Sequence, residues 1–270
     1  MAVRVEKTGP VWTVVHSRAE ARNAMDPASA DALVEAFTAF DADPAAAVAV
    51  LWGEGGSFCA GWDLKYASML QDRARFDAEM VQALRFPMGA GAAPRGPLGP
   101  TRMELSKPVI AAVEGPAVAG GMELAMWCDV RVLAENAYFG VYCRRWGIPL
   151  LDGGSVRLPR LVGQGRALEI ILTGRKVAAD EALRIGLCET IVAPGAARGA
   201  AEAMAHEIAR FPQAAVRADR RTVHETHGLA LRDAMRREWT NGIEAHHDEG
   251  AAGAGRFSAG SGRHGDFTRI

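Results

Sequence analysis

The 270-residue sequence has only four cysteines, Cys59, Cys128, Cys143 and Cys188, and no two are spaced as C-x-x-C. That excludes a disulfide-stapled scaffold and points to a reduced, cytosolic setting. Neither sign of charge is in excess: 31 Lys and Arg stand against 32 Asp and Glu, a formal net charge of -1. No global field draws the chain to nucleic acid or to an anionic membrane, and neither is expected as a partner. An anionic ligand must be met by local groups. No apolar run is long enough to cross a bilayer, and residues 1–10 lack the charged-then-apolar pattern of a secretion signal. His224 and His227, and the adjacent His246 and His247, lack acidic or cysteine companions in a metal pattern, so no metal site is expected. There is no G-x-S-x-G elbow. Gly89-Ala90-Gly91 lies in low-complexity sequence, so it fails as a dinucleotide fingerprint.

What is present is an ordinary globular composition, about half apolar and a quarter charged. The length suits one large domain or two small ones. Val11–His16 is a β-branched run and reads as a strand. Asp26-Pro27 reads as an N-cap with proline at the first helical position, and Leu33, Phe37 and Phe40 follow at helical spacing, predicting a helix over Pro27–Ala42. Residues 47–52, 108–113 and 130–133 read as further strands, with a helix over 122–127. Strands alternating with helices predict an α/β fold with mostly parallel pairing. Their continuous apolar runs predict sheet faces covered on both sides. After Asp152 helical patterns dominate, over 155–161, 166–172, 179–185, 196–210 and 229–246, with one strand at 189–193. The Pro- and Gly-rich stretch 87–100 reads as a mobile surface loop, and 250–265 as a loosely ordered tail.

Two glycine-rich turns could carry chemistry. Ala119-Gly120-Gly121-Met122-Glu123 follows a strand and opens a helix. Paired glycines let the backbone approach a ligand, and the first N–H groups of a helix lack internal partners at its positive end. Such a turn can hold an oxyanion, with Glu123 one helical turn away. It equally suits a plain tight turn with a helix-start carboxylate. Ser57-Phe58-Cys59-Ala60-Gly61-Trp62-Asp63-Leu64-Lys65 leaves a strand in the same way. The Trp62 N–H could be a second donor, or the segment could be a strand-to-helix loop capped by Asp63.

Taken together and in order, these two segments resemble the crotonase (enoyl-CoA hydratase/isomerase) superfamily. Arg22-Asn23-Ala24-Met25, Leu172-Thr173-Gly174-Arg175 and the run from Ala179 to Leu187 also match. The resemblance covers about residues 11–194 and continues more weakly through the helical tail. It implies a spiral of ββα units over 1–194 and a helical region over 195–270 for trimerisation and active-site cover. It implies an acyl-coenzyme A thioester as substrate, no metal or redox cofactor, and a homotrimer or hexamer. Carried over residue by residue, the oxyanion donors fall on Trp62 and Gly120. Arg22, Ala24, Ala60, Asp63, Leu64 and Gly121 fall on the CoA groove, and Glu123 matches one of the two hydratase glutamates. The Trp62 side chain should narrow the acyl pocket.

The match breaks at the second glutamate. It should follow Phe139-Gly140 by a few residues, where Cys143 stands in Tyr142-Cys143-Arg144-Arg145. Asp152 is the nearest replacement in sequence. Other family members place a working aspartate on this stretch, though not aligned on Asp152, which could equally be a helix N-cap. Cys143 could be a nucleophile or a buried structural thiol. Arg144 and Arg145 could meet a phosphate or acidic acyl group, or form inter-subunit ion pairs. The resemblance thus implies a hydratase-like lyase with Glu123 as acid/base, and Asp152 is the candidate to assist it. Isomerisation or thioester hydrolysis on the same hole, and a non-catalytic acyl-CoA-binding protein, remain as alternatives.

Overall fold

A computed structural model describes residues 2–89, 91–265 and 267 of the chain. Ala90, in the middle of the expected 87–100 loop, lies outside the described residues, as do Met1, Asp266 and 268–270. Strand β1 (Val3–Thr8) turns into β2 (Val11–His16), and α1 (Pro27–Ala42) leads to β3 (Val48–Gly53). After α2 (Leu64–Ser68) and α3 (Arg73–Phe76) the chain returns as β4 (Val109–Val113). There follow β5 (Pro116–Val118), α4 (Gly120–Trp127), β6 (Val130–Ala134) and β7 (Tyr138–Gly140). Helices α5 (Gly154–Val162) and α6 (Gln164–Thr173) precede β8 (Lys176–Ala178), α7 (Ala179–Arg184) and β9 (Thr190–Val192). The chain then runs through α8 (Ala197–Ala209), α9 (Gln213–Glu225), α10 (Leu231–Ala245) and α11 (Ala251–Ser258).

The fold is α/β with a helical C-terminal region. The main sheet has the order β1-β2-β3-β4-β6-β9, antiparallel only between β1 and β2. A smaller sheet, β5-β7-β8, stands beside it. Alternate residues of each central strand enter two different cores. Ala49, Leu51, Ala111 and Leu133 pack with Phe37 and Phe40 of α1, while Val48, Val50, Ile110 and Val132 pack with Ala201 and Ala205 of α8. Both faces are therefore dry, which is why these strands read as unbroken apolar runs rather than alternating ones. Alanine at 201 and 205 lets α8 lie close against the sheet.

Helix α1 starts where the sequence predicts, with Asp26 accepting from the Ser29 amide at 2.8 Å and Pro27 at its first position. Its far end is closed from another element: buried Lys107 donates to the carbonyls of Phe40 (3.0 Å) and Asp43 (2.5 Å). Phe37 is fully buried and meets Trp127 of α4 edge-on at 4.9 Å. Truncating it to alanine should destabilise the core by about 3–5 kcal/mol.

Two sequence expectations are corrected here. Residues 251–258 form a helix, not a loose tail: nothing breaks the helical course until Gly260, the first positive-φ residue there at φ 105°. The 87–100 stretch is a surface loop only at its start, because residues 96–100 are buried. Among the described residues no helix is long and apolar enough to cross a membrane.

Candidate active site

The smaller sheet gathers the two glycine-rich turns. The Cys59 amide donates to the Pro116 carbonyl (3.2 Å) and the Val118 amide to the Cys59 carbonyl (3.0 Å), so the loop after β3 runs as an extra strand beside β5. Asn23 anchors that loop from below. Fully buried, it donates to the carbonyls of Glu54 (2.8 Å) and Ser57 (2.7 Å) and accepts from the Arg18 amide. Next to Trp62, the Gly61 carbonyl accepts from Met25 (2.7 Å) and the Asp63 amide donates to the Met25 carbonyl (2.8 Å).

Across from this loop, Ala119 adopts φ 53° and ψ -124°, a region unfavourable to residues with a side chain. Its amide bonds the Gly140 carbonyl at 2.7 Å, which holds the turn that opens α4. A side chain on Gly121 would overlap the Cys59 carbonyl oxygen, and one on Gly61 would sit 3.1 Å from the Gly120 nitrogen. The two turns are thus in contact, backbone to backbone. Among the described residues, the N–H groups of Trp62 and Gly120 donate to no protein acceptor, and both residues line one cavity of about 320 Å³.

Two buried carboxylates line the same cavity. Glu123 is 3% exposed, and its Oε1 accepts from the amides of Asp152 (2.9 Å) and Gly154 (2.8 Å). Burial, and then the charge of Asp152, push its pKa up to about 7, against the opposing pull of those two amides. Asp152 is 2% exposed, and its Oδ1 accepts from the Leu98 amide (3.0 Å) and the Thr101 hydroxyl. Burial raises its pKa too, with the Thr101 and Leu98 bonds acting against it. Each carboxylate therefore has one oxygen fixed by two donors. Among the described residues the other oxygen, Oε2 or Oδ2, accepts nothing. Beneath Asp152, Arg157 donates to the carbonyls of Asp152 and Thr101, both at 2.8 Å.

Of the residues singled out from sequence, Arg22, Ala60, Trp62, Leu64, Gly120, Glu123 and Asp152 come together around this cavity. Ala24, Asp63 and Gly121 stand outside its lining. The Ala24 carbonyl accepts from Arg18 at 2.5 Å. Asp63 caps α2 through the Lys65 amide (2.9 Å) and pairs with Arg18 at 3.1 Å. Gly121 serves by its missing side chain. Asp152 caps no helix: Gly153 occupies that position in α5, with no side-chain cap. Cys143 is a buried wall residue, and burial, with the charge of Glu123 next, raises its pKa, which keeps the thiol protonated and unsuited to nucleophilic attack. Arg145 reaches the cavity and lies 4.4 Å over the Tyr142 ring, whereas Arg144 stays outside and bonds the Ile171 carbonyl at 3.4 Å.

Sequence reasoning missed Leu98, Thr101 and Arg157. A signal existed for the first, since Gly96-Pro97-Leu98-Gly99 is turn sequence. The richness of 87–100 in Gly and Pro drew the whole stretch to the surface instead. Thr101 and Arg157 carry no local signal at all.

A family model described as enoyl-CoA hydratase/isomerase matches residues 6–87 and 98–256. The chain belongs to this family. Among its relatives, an enoyl-CoA hydratase of Mycobacterium tuberculosis, EchA19, is 34% identical over 247 residues, covering 89% of this chain and 86% of the relative. The (E)-benzylidenesuccinyl-CoA hydratase of Thauera aromatica is 36% identical over 221 residues, covering 81% and 80%. The crystal structure of enoyl-CoA hydratase EchA1 from Mycobacterium marinum superposes with a TM-score of 0.83 at 33% identity, covering 96% of each chain. For this enoyl-CoA hydratase/isomerase family member, the unmatched stretch 88–97 ends one residue before Leu98.

Proposed function

We propose that this family member is a hydratase-type lyase that adds water to an enoyl-CoA thioester. One observation carries the proposal: two unpaired N–H groups from different turns and two carboxylates, each with one oxygen left over, share a single cavity. The Trp62 and Gly120 amides receive the thioester oxygen and stabilise the charge it gains as an enolate. One carboxylate takes a proton from water as the water oxygen bonds to the β-carbon. The other delivers a proton to the α-carbon, so that H and OH are added across the double bond. The near-neutral pKa of Glu123 suits it to exchange a proton around pH 7. Arg22, exposed at the cavity edge and without an ion-pair partner among the described residues, suits the phosphates of coenzyme A. Coenzyme A enters as part of the substrate, with no other cofactor invoked.

Cys143, standing where hydratases carry a second glutamate, favours a second reading: isomerisation on one base that takes and returns a proton. The two are separated by incubating the protein with crotonyl-CoA and following the enoyl absorbance, beside a panel of 3-enoyl-CoA esters. Hydration predicts loss of the crotonyl-CoA signal. Turnover of 3-enoyl esters alone would replace it by isomerisation, and release of free thiol by hydrolysis. Binding of CoA esters with no turnover would leave an acyl-CoA-binding protein. We also infer assembly as a trimer or hexamer through the C-terminal helices. Leu231, Met235 and Trp239 form an i, i+4, i+8 stripe on α10, 77%, 62% and 68% exposed. Light scattering on the purified chain tests this, and a monomer at micromolar concentration would rule it out.

A further inference from the structure

The Gly96–Thr101 segment is shaped around Asp152. The Gly96 and Gly99 amides and carbonyls bond reciprocally, both at 2.9 Å, which closes a tight turn with Pro97 and Leu98 at its tip. That turn aims the Leu98 amide at Asp152 Oδ1, and two residues after it Thr101 sends its hydroxyl to the same oxygen. Thr101 is itself buried, 1% exposed, so water does not compete for the bond. A third observation concerns Gly96, which faces the same pair of oxygens. A side chain built on Gly96 would overlap both the Thr101 hydroxyl oxygen and Asp152 Oδ1. Gly96 has no positive φ to explain it, so the glycine is there because the Thr101–Asp152 bond fills the space a side chain would need. Gly96 also belongs to the stretch that the family model leaves unmatched.

We propose that Thr101 is a positioning residue that locks Asp152 Oδ1 and thereby dedicates Oδ2 to proton transfer, with Gly96 leaving room for the lock. This rests on the reading of Asp152 as one of the two acid/base groups. It explains how an aspartate from the segment before α5 can serve where Cys143 has replaced the glutamate. A buried carboxylate with one oxygen held by two donors cannot rotate freely. Its second oxygen keeps a fixed direction, which proton transfer requires. The charged or titratable groups around Asp152 are Glu123 on α4, Arg157 on α5, Arg102 next to Thr101, and Cys59 on the loop after β3. None of them bonds Oδ1.

The test compares Thr101→Val, Thr101→Ser, Gly96→Ala and Asp152→Asn by steady-state kinetics across pH on the enoyl-CoA ester turned over. Thermal melts serve as the folding control. Thr101→Val keeps shape and removes the hydroxyl. It is expected to lower kcat roughly ten- to a hundredfold with KM within about twofold, the loss of one bond to a charged group. One limb of its kcat profile should move to higher pH by about one unit, because the carboxylate has lost a donor. Gly96→Ala should reproduce both changes with Thr101 intact. Thr101→Ser should restore kcat and the profile. An unchanged Thr101→Val beside an inactive Asp152→Asn would overturn the inference, as would a Thr101→Ser as impaired as Thr101→Val. A fully active Asp152→Asn is a different failure: it removes Asp152 from the chemistry, and with it the reading this inference rests on.

Discussion

The two walls of the cavity are made in different ways. On one side stand the Trp62 and Gly120 amides, main-chain groups aimed by turns whose shape is set by glycine and by bonds between neighbouring loops. On the other stand Glu123 and Asp152, side chains whose free oxygens depend on residues 29 to 54 positions away in sequence. The first wall is rigid by construction and tolerates change in side chains but not in backbone. The second depends on distant side chains, and on the proposed hydratase reading it is the wall in which Asp152 takes the place of a glutamate missing at Cys143. On that reading the charge-stabilising wall can be kept while the groups that move protons are exchanged.

The largest effect should come from the carboxylate wall. Glu123→Gln keeps an oxygen to accept from the Asp152 and Gly154 amides, so the fold around it is preserved. What it removes is an exchangeable carboxyl proton, and general acid–base groups typically contribute 10²–10⁴-fold. We expect kcat to fall about a thousandfold with Kd for a CoA ester nearly unchanged. Turnover at the wild-type rate would remove Glu123 from the mechanism.

The backbone wall should answer to glycine substitutions, and unequally. At Gly121 a methyl group meets the Cys59 carbonyl, part of the backbone that joins the two turns. One turn must shift, and losing one oxyanion donor costs about a hundredfold or more in kcat. At Gly120 the methyl group meets the Leu98 side chain, its Cδ2 at 2.5 Å and its Cγ at 2.7 Å, rather than backbone, so a side-chain shift can relieve the contact. Gly120→Ala should therefore be the milder change, by about tenfold in kcat. Equal losses in the two variants would mean that the turns are not held against each other as the contact at Cys59 indicates.

How much was legible in the sequence follows the same division. The strands, helix α1 with its Asp26 cap, and both glycine-rich turns are local patterns, and a local pattern is what a sequence displays. The glycine spacing and the strand-to-helix switch made Trp62 and Gly120 possible donors, no better than plain turn residues, and only the resemblance to the crotonase superfamily singled them out. Asp152 could be named only as a candidate, since its partners Leu98 and Thr101 lie across the fold in a stretch whose composition suggested an outer loop. Asp63, by contrast, sits in one of the two matched motifs yet bonds the framework through the Lys65 amide and Arg18. Motif membership marks a region, while the role of a side chain is decided by what packs around it.

Glu123 also links the carboxylate wall to stability. Its pKa rises on folding from the ordinary 4.5 to about 7, so folding favours the protonated form. The sign follows from proton uptake by the native state: the stability this group contributes is fully present below pH 4.5 and is lost as pH rises through about 7. Glu123→Gln cannot ionise. Its stability relative to wild type should therefore grow between pH 4.5 and 7 and level off above, by about 3 kcal/mol at most. Urea unfolding at several pH values measures this. A constant difference across that range would place the Glu123 carboxyl in a more watery site than its 3% exposure implies.

The smallest effect is expected at Asp63, and it sharpens the contrast between motif and role. Its carboxylate accepts from the Lys65 amide at the start of α2 and pairs with Arg18, which also reaches the Ala24 carbonyl and Asp26. Replacing it with alanine removes a helix cap, worth about 0.5–2 kcal/mol. Arg18 is left with its other two partners rather than stranded. Melting should drop by about 2–4 °C for each kcal/mol lost in a chain of this size. Because Asp63 lies outside the cavity lining, kcat should stay within about twofold of wild type. A change confined to KM would show that the cap steers the Leu64 side of the groove. A collapse of kcat would show instead that the Arg18–Asp63 pair holds the Trp62 amide in place, and the backbone wall would then depend on side chains as much as the other does.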